Sequence, residues 1–133
     1  MVADMIIDNE TPNGKIKSTR IAISIQGYRN AISIGKEVVH VLGNPPYICL
    51  RVNDTYKSVA ISPCEPTEVL SFKTPENLFT NRHVVFRIYS QEFIKGLLRA
   101  NGLDTEQSYS LKGTYSEKNN AVVFSFDEVQ REG

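Results

Sequence analysis

The stretch Ile21-Ala22-Ile23-Ser24-Ile25-Gln26-Gly27-Tyr28-Arg29-Asn30-Ala31-Ile32-Ser33-Ile34-Gly35-Lys36-Glu37-Val38-Val39-His40-Val41-Leu42-Gly43 decides the fold. Ile21, Ile23 and Ile25 alternate with small or polar residues, which puts three isoleucines on one face of a half-buried strand. Gln26 to Asn30 reads as a turn, with Gly27 expected to supply a positive φ. Alternation resumes from Asn30 to Ile34, with Ile32 and Ile34 facing inward. Val38, Val41 and Leu42 then recur at helical spacing, and Gly43 is suited to stop that helix.

Working outward, Asn44-Pro45-Pro46 forbids continuation of the helix. Tyr47 to Val52 alternates again, Asn53-Asp54-Thr55 reads as a hairpin turn, and Ser58 to Ser62 returns before Pro63. The unit is β-β-α-β-β, and it then restarts. Val69 to Lys73 is a short strand candidate, broken by Thr74-Pro75-Glu76-Asn77. His83 to Ile88 alternates, with Val84, Phe86 and Ile88 on one face. Ser90 is a good helix N-cap. Phe93, Ile94, Leu97 and Leu98 form the apolar stripe of a second helix, which ends at Asn101-Gly102. Tyr109 to Tyr115, with Gly113 inside it, and Ala121 to Phe126 form the last hairpin. By element, Ile32-Ser33-Ile34 corresponds to Phe86-Arg87-Ile88, and Lys36-Glu37-Val38-Val39 to Gln91-Glu92-Phe93-Ile94. The hairpin Tyr47–Ile61 corresponds to Tyr109–Phe124.

One such unit cannot bury both faces of its strands, whereas two can share a barrel and remove their sheet edges. The expected class is mainly β with two short helices, tandem ββαββ units forming a swapped-hairpin or double-psi-like barrel. The division is a leader at 1–18, a first unit at 19–66, a second and divergent unit at 67–127, and a charged tail at 128–133, all in one structural domain.

The 133 residues are one domain's worth, and an apolar fraction of 41% suffices for one ordinary core. Lys+Arg and Asp+Glu both number 15. Zero net charge argues against an unselective nucleic-acid coat while allowing a local basic patch. Cys49 and Cys64 form no Cys-x-x-Cys and have no third partner, so two reduced thiols in or beside strands are expected. The start MVADMIIDNE lacks a basic region and a signal-length apolar run, and no stretch reaches the ~20 apolar residues of a membrane span. A soluble, cytoplasmic protein is the expectation.

Chemistry-bearing patterns are missing. The sequence has no Gly-x-x-x-x-Gly-Lys-Ser/Thr and no Gly-x-Gly-x-x-Gly. His40 and His83 are the two histidines, without zinc-ligand spacing. No nucleophile elbow marks a serine. These absences point to a non-enzyme with no cofactor and no metal. Tyr28, Tyr47, Tyr56, Tyr89, Tyr109 and Tyr115 are expected to pack barrel rims more than to stack on bases.

Residues Gln26 to Gly43, with the hairpin Tyr47 to Pro63, resemble the AbrB/MazE-type swapped-hairpin (SpoVT-AbrB-like) domains. That signature is a strand, a Gly-Arg-type loop, an alternating strand, a short helix ending Leu-Gly, then a hairpin. Gly35 stands where that family usually has proline, and Asn44-Pro45-Pro46 replaces its common acidic turn. The resemblance implies a transcriptional regulator that contacts double-stranded DNA through basic residues near the strand loops, and a possible homodimer. It implies Arg29 with Asn30 beside it as DNA contacts, Arg82 in the matching loop of the second unit, and Arg20 and outward-pointing Arg87 as further candidates, since arginine forks suit phosphates and base edges. The alternative is a non-catalytic protein-interaction module, antitoxin-like or a mobile-element inhibitor, that kept the barrel without DNA binding. A third reading, a ligand-binding or enzymatic barrel, calls for a deep polar pocket. One continuous positive face over loops 26–30 and 74–83 favours DNA, and a face broken by residues such as Glu76 favours the interaction module.

Overall fold

The computed structural model describes residues 21–132. Its elements, in chain order, are β1 (Ala22–Gln26), a 3-10 turn (Gly27–Arg29), β2 (Ala31–Ile34), α1 (Lys36–Val41), β3 (Tyr47–Val52), β4 (Ser58–Pro63), β5 (Ser71–Lys73), β6 (Phe86–Tyr89), α2 (Gln91–Ala100), β7 (Ser108–Ser116), β8 (Ala121–Ser125), a second 3-10 turn (Phe126–Glu128) and β9 (Gln130–Arg131). The strands form one antiparallel sheet in the order β5-β3-β4-β8-β7-β1-β2-β6, with β9 added alongside β7. This sheet curls into a nearly closed barrel, so the protein is a mainly-β barrel with two helices.

Alternation produces this arrangement directly. Ile23, Ile25, Ile32, Ile34, Ile48, Leu50, Val59, Ile61, Leu111, Val122 and Phe124 point inward and are buried. Each such side chain contributes about 1.5–3 kcal/mol on leaving water. The helices close the core with Val38 and Val39 from α1 and Ile94, Leu97 and Leu98 from α2. Ser90 caps α2, its Oγ accepting from the Phe93 N–H at 3.4 Å. Gly43, at φ 91°, ends α1.

The strand registers are symmetric about two residue pairs. On β2–β6, Ser33 lies opposite Arg87, with Ile32 opposite Ile88 and Ile34 opposite Phe86. On β4–β8, Ala60 lies opposite Val123, with Val59 opposite Phe124 and Ile61 opposite Val122. Exchanging the two halves of the chain maps these pairings onto themselves. The symmetry fails at one seam. β1 pairs with both β2 and β7, whereas β5 pairs with β3 alone and β6 with β2 alone. The sheet therefore ends on β5 and β6, and residues 74–85 connect them.

Four expectations are corrected. Gly27 sits in a 3-10 turn, and the left-handed residue is Asn30, at φ 55°. What requires glycine at 27 is close approach: a Cβ there would run into the backbone oxygens of Thr105 and Gln107. The C-terminal residues are more than a charged tail, since Gln130 and Arg131 pair with Ser110 and Tyr109 of β7. The strand expected from His83 begins only at Phe86, because the Asn81 side chain accepts from the His83 N–H at 2.9 Å and holds a turn there. Finally, Cys49 and Cys64 are joined in a disulfide. Cys49 lies opposite Ser62 on the β3–β4 hairpin, which brings the residue two positions further on within bonding distance, at a Cα–Cα separation of 5.8 Å.

Candidate interaction surface

The outer face of the sheet is set by the same alternation that fills the core. Across β7, β1, β2 and β6, the in-register row Ser110–Ser24–Ser33–Arg87 points away from the isoleucines. The neighbouring row is Ser108–Gln26–Ala31–Tyr89, in which Ala31 is fully buried and the Gln26 side-chain oxygen is buried as well. These strands present short, mostly uncharged side chains, and charge enters the first row at the β6 end, with Arg87. Glu132 reaches the same face and accepts from the Ser24 Oγ at 3.0 Å.

Arg87 is half-buried and points outward between inward Phe86 and Ile88. Its Nε donates to the Ser33 Oγ at 3.2 Å. On either side Val85 is 53% and Tyr89 62% exposed. The backbone here is polarised as well. Ser90 N–H donates to the Asn30 carbonyl at 2.9 Å, which makes 30 and 90 a hydrogen-bonded pair. Antiparallel ladders alternate, so Ile88 and Phe86 also bond β2, and the backbone groups of Arg87 and Tyr89, with the Val85 carbonyl, point to the open edge. On the opposite lip, Leu50 N–H donates to Leu70 O and Thr74 N–H to Pro46 O, so Ser71 and Lys73 face the opening from β5.

Arg29 is exposed, with its guanidinium 5.0 Å from the Tyr28 ring centroid. Asn30 is half-buried; its carbonyl takes the Ser90 N–H, and its side-chain oxygen is buried without a partner among the described residues. Arg82 is exposed in the 74–85 connection. Arg20 lies outside the described residues. The register separates the arginines. Arg29 precedes the end of β2 that pairs with Tyr89, and Arg82 precedes the end of β6 that pairs with Ile34. They stand at opposite ends of the β2–β6 ladder, with Arg87 between them. Glu76 is paired with Lys73 at 3.3 Å in the connecting segment, so the charge there is mixed.

Lys95 has no distinguishing sequence context. Its ammonium donates to Gly27 O and Thr105 O, both at 2.8 Å, and to a Glu106 carboxylate oxygen at 3.0 Å, with its side chain only 13% exposed. It ties α2 to the Gly27–Arg29 turn and to the segment before β7. A lysine beside the apolar stripe of a helix carries no signal for this role, because its acceptors lie beyond the helix, Gly27 being 68 residues away.

No family model, curated protein or solved structure matches this chain. Cys49 and Cys64 bring their sulfurs together with a Glu68 carboxylate oxygen within 4.8 Å, a set with metal-ligand character. Joined to each other, the sulfurs offer no thiolate to a cation. Glu68 is instead held by Arg51 at 2.7 Å. A solvent-open cleft of about 350 Å³ is lined by Tyr56, Glu92, Phe93, Gly96 and Ala100 on the outside of α2. Glu92 is its one ionisable carboxylate, and its walls are otherwise largely apolar. No helix among the described residues is long and apolar enough to cross a membrane.

Proposed function

We propose that this chain is a non-catalytic protein-interaction module whose unfinished barrel accepts an extended segment of another protein at the β6 edge. The observation that carries this reading is the seam: a sheet symmetric nearly everywhere else stops at β6, leaving a strand with outward backbone groups and exposed Val85 and Tyr89. Exposed strand edges are templates for pairing, and natural sheets usually cover or charge them. The charge distribution supports it too, since loops 26–30 and 74–83 lie at opposite ends of the ladder and Glu76 neutralises Lys73.

DNA binding of the AbrB-like type is the second reading, favoured by exposed Arg29 stacked on Tyr28. One experiment separates the two. The protein is panned against displayed random peptides and, in parallel, titrated with duplex DNA over a salt series. The interaction module predicts selected peptides that bind wild type and lose binding to Tyr89→Pro, because the Tyr89 N–H is turned to the edge and a proline there blocks an added strand. No selected peptide, together with duplex binding that strengthens steeply at low salt, gives the function to DNA.

A further inference from the structure

The interaction-module reading leaves the partner's chemistry open. The edge itself defines that chemistry, and a peptide code for the edge rests on that reading. An added strand hydrogen-bonds to the backbone of Arg87 and Tyr89, whose side chains stand on the outer face, and reaches the exposed Val85 just before β6. The side chains of the incoming strand that share this face meet an apolar residue, a guanidinium and an aromatic ring, in that order. Cross-strand neighbours of this kind are favourable when apolar meets apolar and opposite charges meet. Among the described residues no carboxylate lies within ion-pair distance of Arg87, and Ser33 occupies only its Nε. Glu132, whose carboxylate reaches the same face, is engaged by Ser24 two strands away from Arg87. The two Nη groups remain for an acceptor arriving from the edge.

We infer that the β6 edge selects an extended peptide with an acidic residue flanked two positions away on each side by apolar residues, the carboxylate pairing with Arg87 and the apolar side chains covering Val85 and Tyr89. A second copy of this chain fits poorly. Two β6 edges pairing antiparallel across all three residues set Arg87 against Arg87 of the other copy, and like charges directly opposite are destabilising.

The test uses two blocked nine-residue peptides, one centred on Val-Thr-Glu-Thr-Val and the other on Val-Thr-Lys-Thr-Val. Their binding to the full chain is measured by calorimetry, with amide hydrogen exchange of the protein followed in parallel. The wild type is expected to bind the glutamate peptide roughly three- to fivefold tighter than the lysine peptide. The Arg87 and Tyr89 amides are expected to gain protection, and Arg87→Glu is expected to reverse the preference. Arg87→Gln, which keeps the length of the side chain without its charge, is expected to abolish the preference and retain binding. Protection of both amides without charge preference overturns the acidic code and leaves the interaction module standing. Peptide binding that leaves both amides unprotected overturns the code and the edge together. Protection that is present before any peptide is added, or concentration-dependent dimerisation removed by Tyr89→Pro, assigns the edge to the chain itself or to a second copy and also overturns the proposal.

Discussion

Arg87 and Ser33 face each other across β2 and β6, Nε donating to Oγ at 3.2 Å, and they occupy the position about which that ladder is symmetric. The barrel is close to two-fold, but its two halves place a hydroxyl and a guanidinium at this shared point. The hydrogen bond holds the cation down on the outer face, half-buried beside the open edge. A single charged position results where strict symmetry would give two like residues. For the same reason, symmetry sends Arg29 and Arg82 to opposite ends of the ladder.

Lys95 holds the Gly27–Arg29 turn in place, so its loss should be felt in stability first. Lys95→Met keeps much of the aliphatic stem but leaves the Gly27 and Thr105 carbonyls without their donor. Unsatisfied buried acceptors cost about 1–3 kcal/mol. Urea denaturation should show that loss, and exchange of the 27–30 amides should rise with it. An unchanged midpoint would mean that water replaces the ammonium at no cost.

Leu78 is a core residue supplied by a connection. It is 1% exposed, although its neighbours Asn77 and Phe79 are exposed. Leu78→Ala is expected to cost about 2–5 kcal/mol in denaturant unfolding, as for other buried leucines. Val69→Ala, at a position 87% exposed, is the control and should move stability by less than about 0.5 kcal/mol.

Leu78 also marks the limit of what the sequence makes legible. Strands and helices that alternate or repeat cleanly can be read, because burial imposes period 2 or 3.6 on them; β1, β2, α1 and α2 are of this kind. A lone leucine between Asn77 and Phe79 has no period, so nothing in its local sequence marks it for the core. The seam itself is a matter of which strands find partners, and pairing between residues distant in the chain leaves no mark on either strand. Gly27 shows the same effect on a smaller scale. A turn glycine suggests positive φ, whereas the constraint comes from Thr105 and Gln107, far along the chain. Of the site residues, Arg87 was legible as outward from its isoleucine and phenylalanine neighbours, but its Ser33 partner and its place on an open edge were not.

Gly113 should tolerate no side chain. An added Cβ would lie 2.5 Å from Phe124 Cε2 and 2.6 Å from Val122 Cγ1, both belonging to fully buried side chains of β8. Overpacking of this kind costs about 1–3 kcal/mol. Gly113→Ala is therefore expected to lower the urea midpoint, while Gly96→Ala, whose Cβ meets nothing within 4 Å on α2, should be neutral or stabilising. Equal effects at the two positions would contradict the tight β7–β8 packing.

The Cys49–Cys64 disulfide closes a loop with a sequence separation of 15 across the β3–β4 hairpin and leads into the segment that carries Glu68 and β5. Cross-linking over such a separation restricts the unfolded chain by about 3 kcal/mol. Stability measured with and without a dithiol reductant should differ by that order in the wild type. In Cys64→Ala the reductant should have no effect, and the variant should match the reduced wild type. Cys64 is the better position to change, because Cys49 is wholly buried and its replacement adds a packing cost of its own. A thiol count on the denatured, unreduced protein gives the independent check: none if the bridge is formed, two if the cysteines are reduced. A count of two, with stability indifferent to reductant, would restore the reduced pair that the Cys spacing suggests.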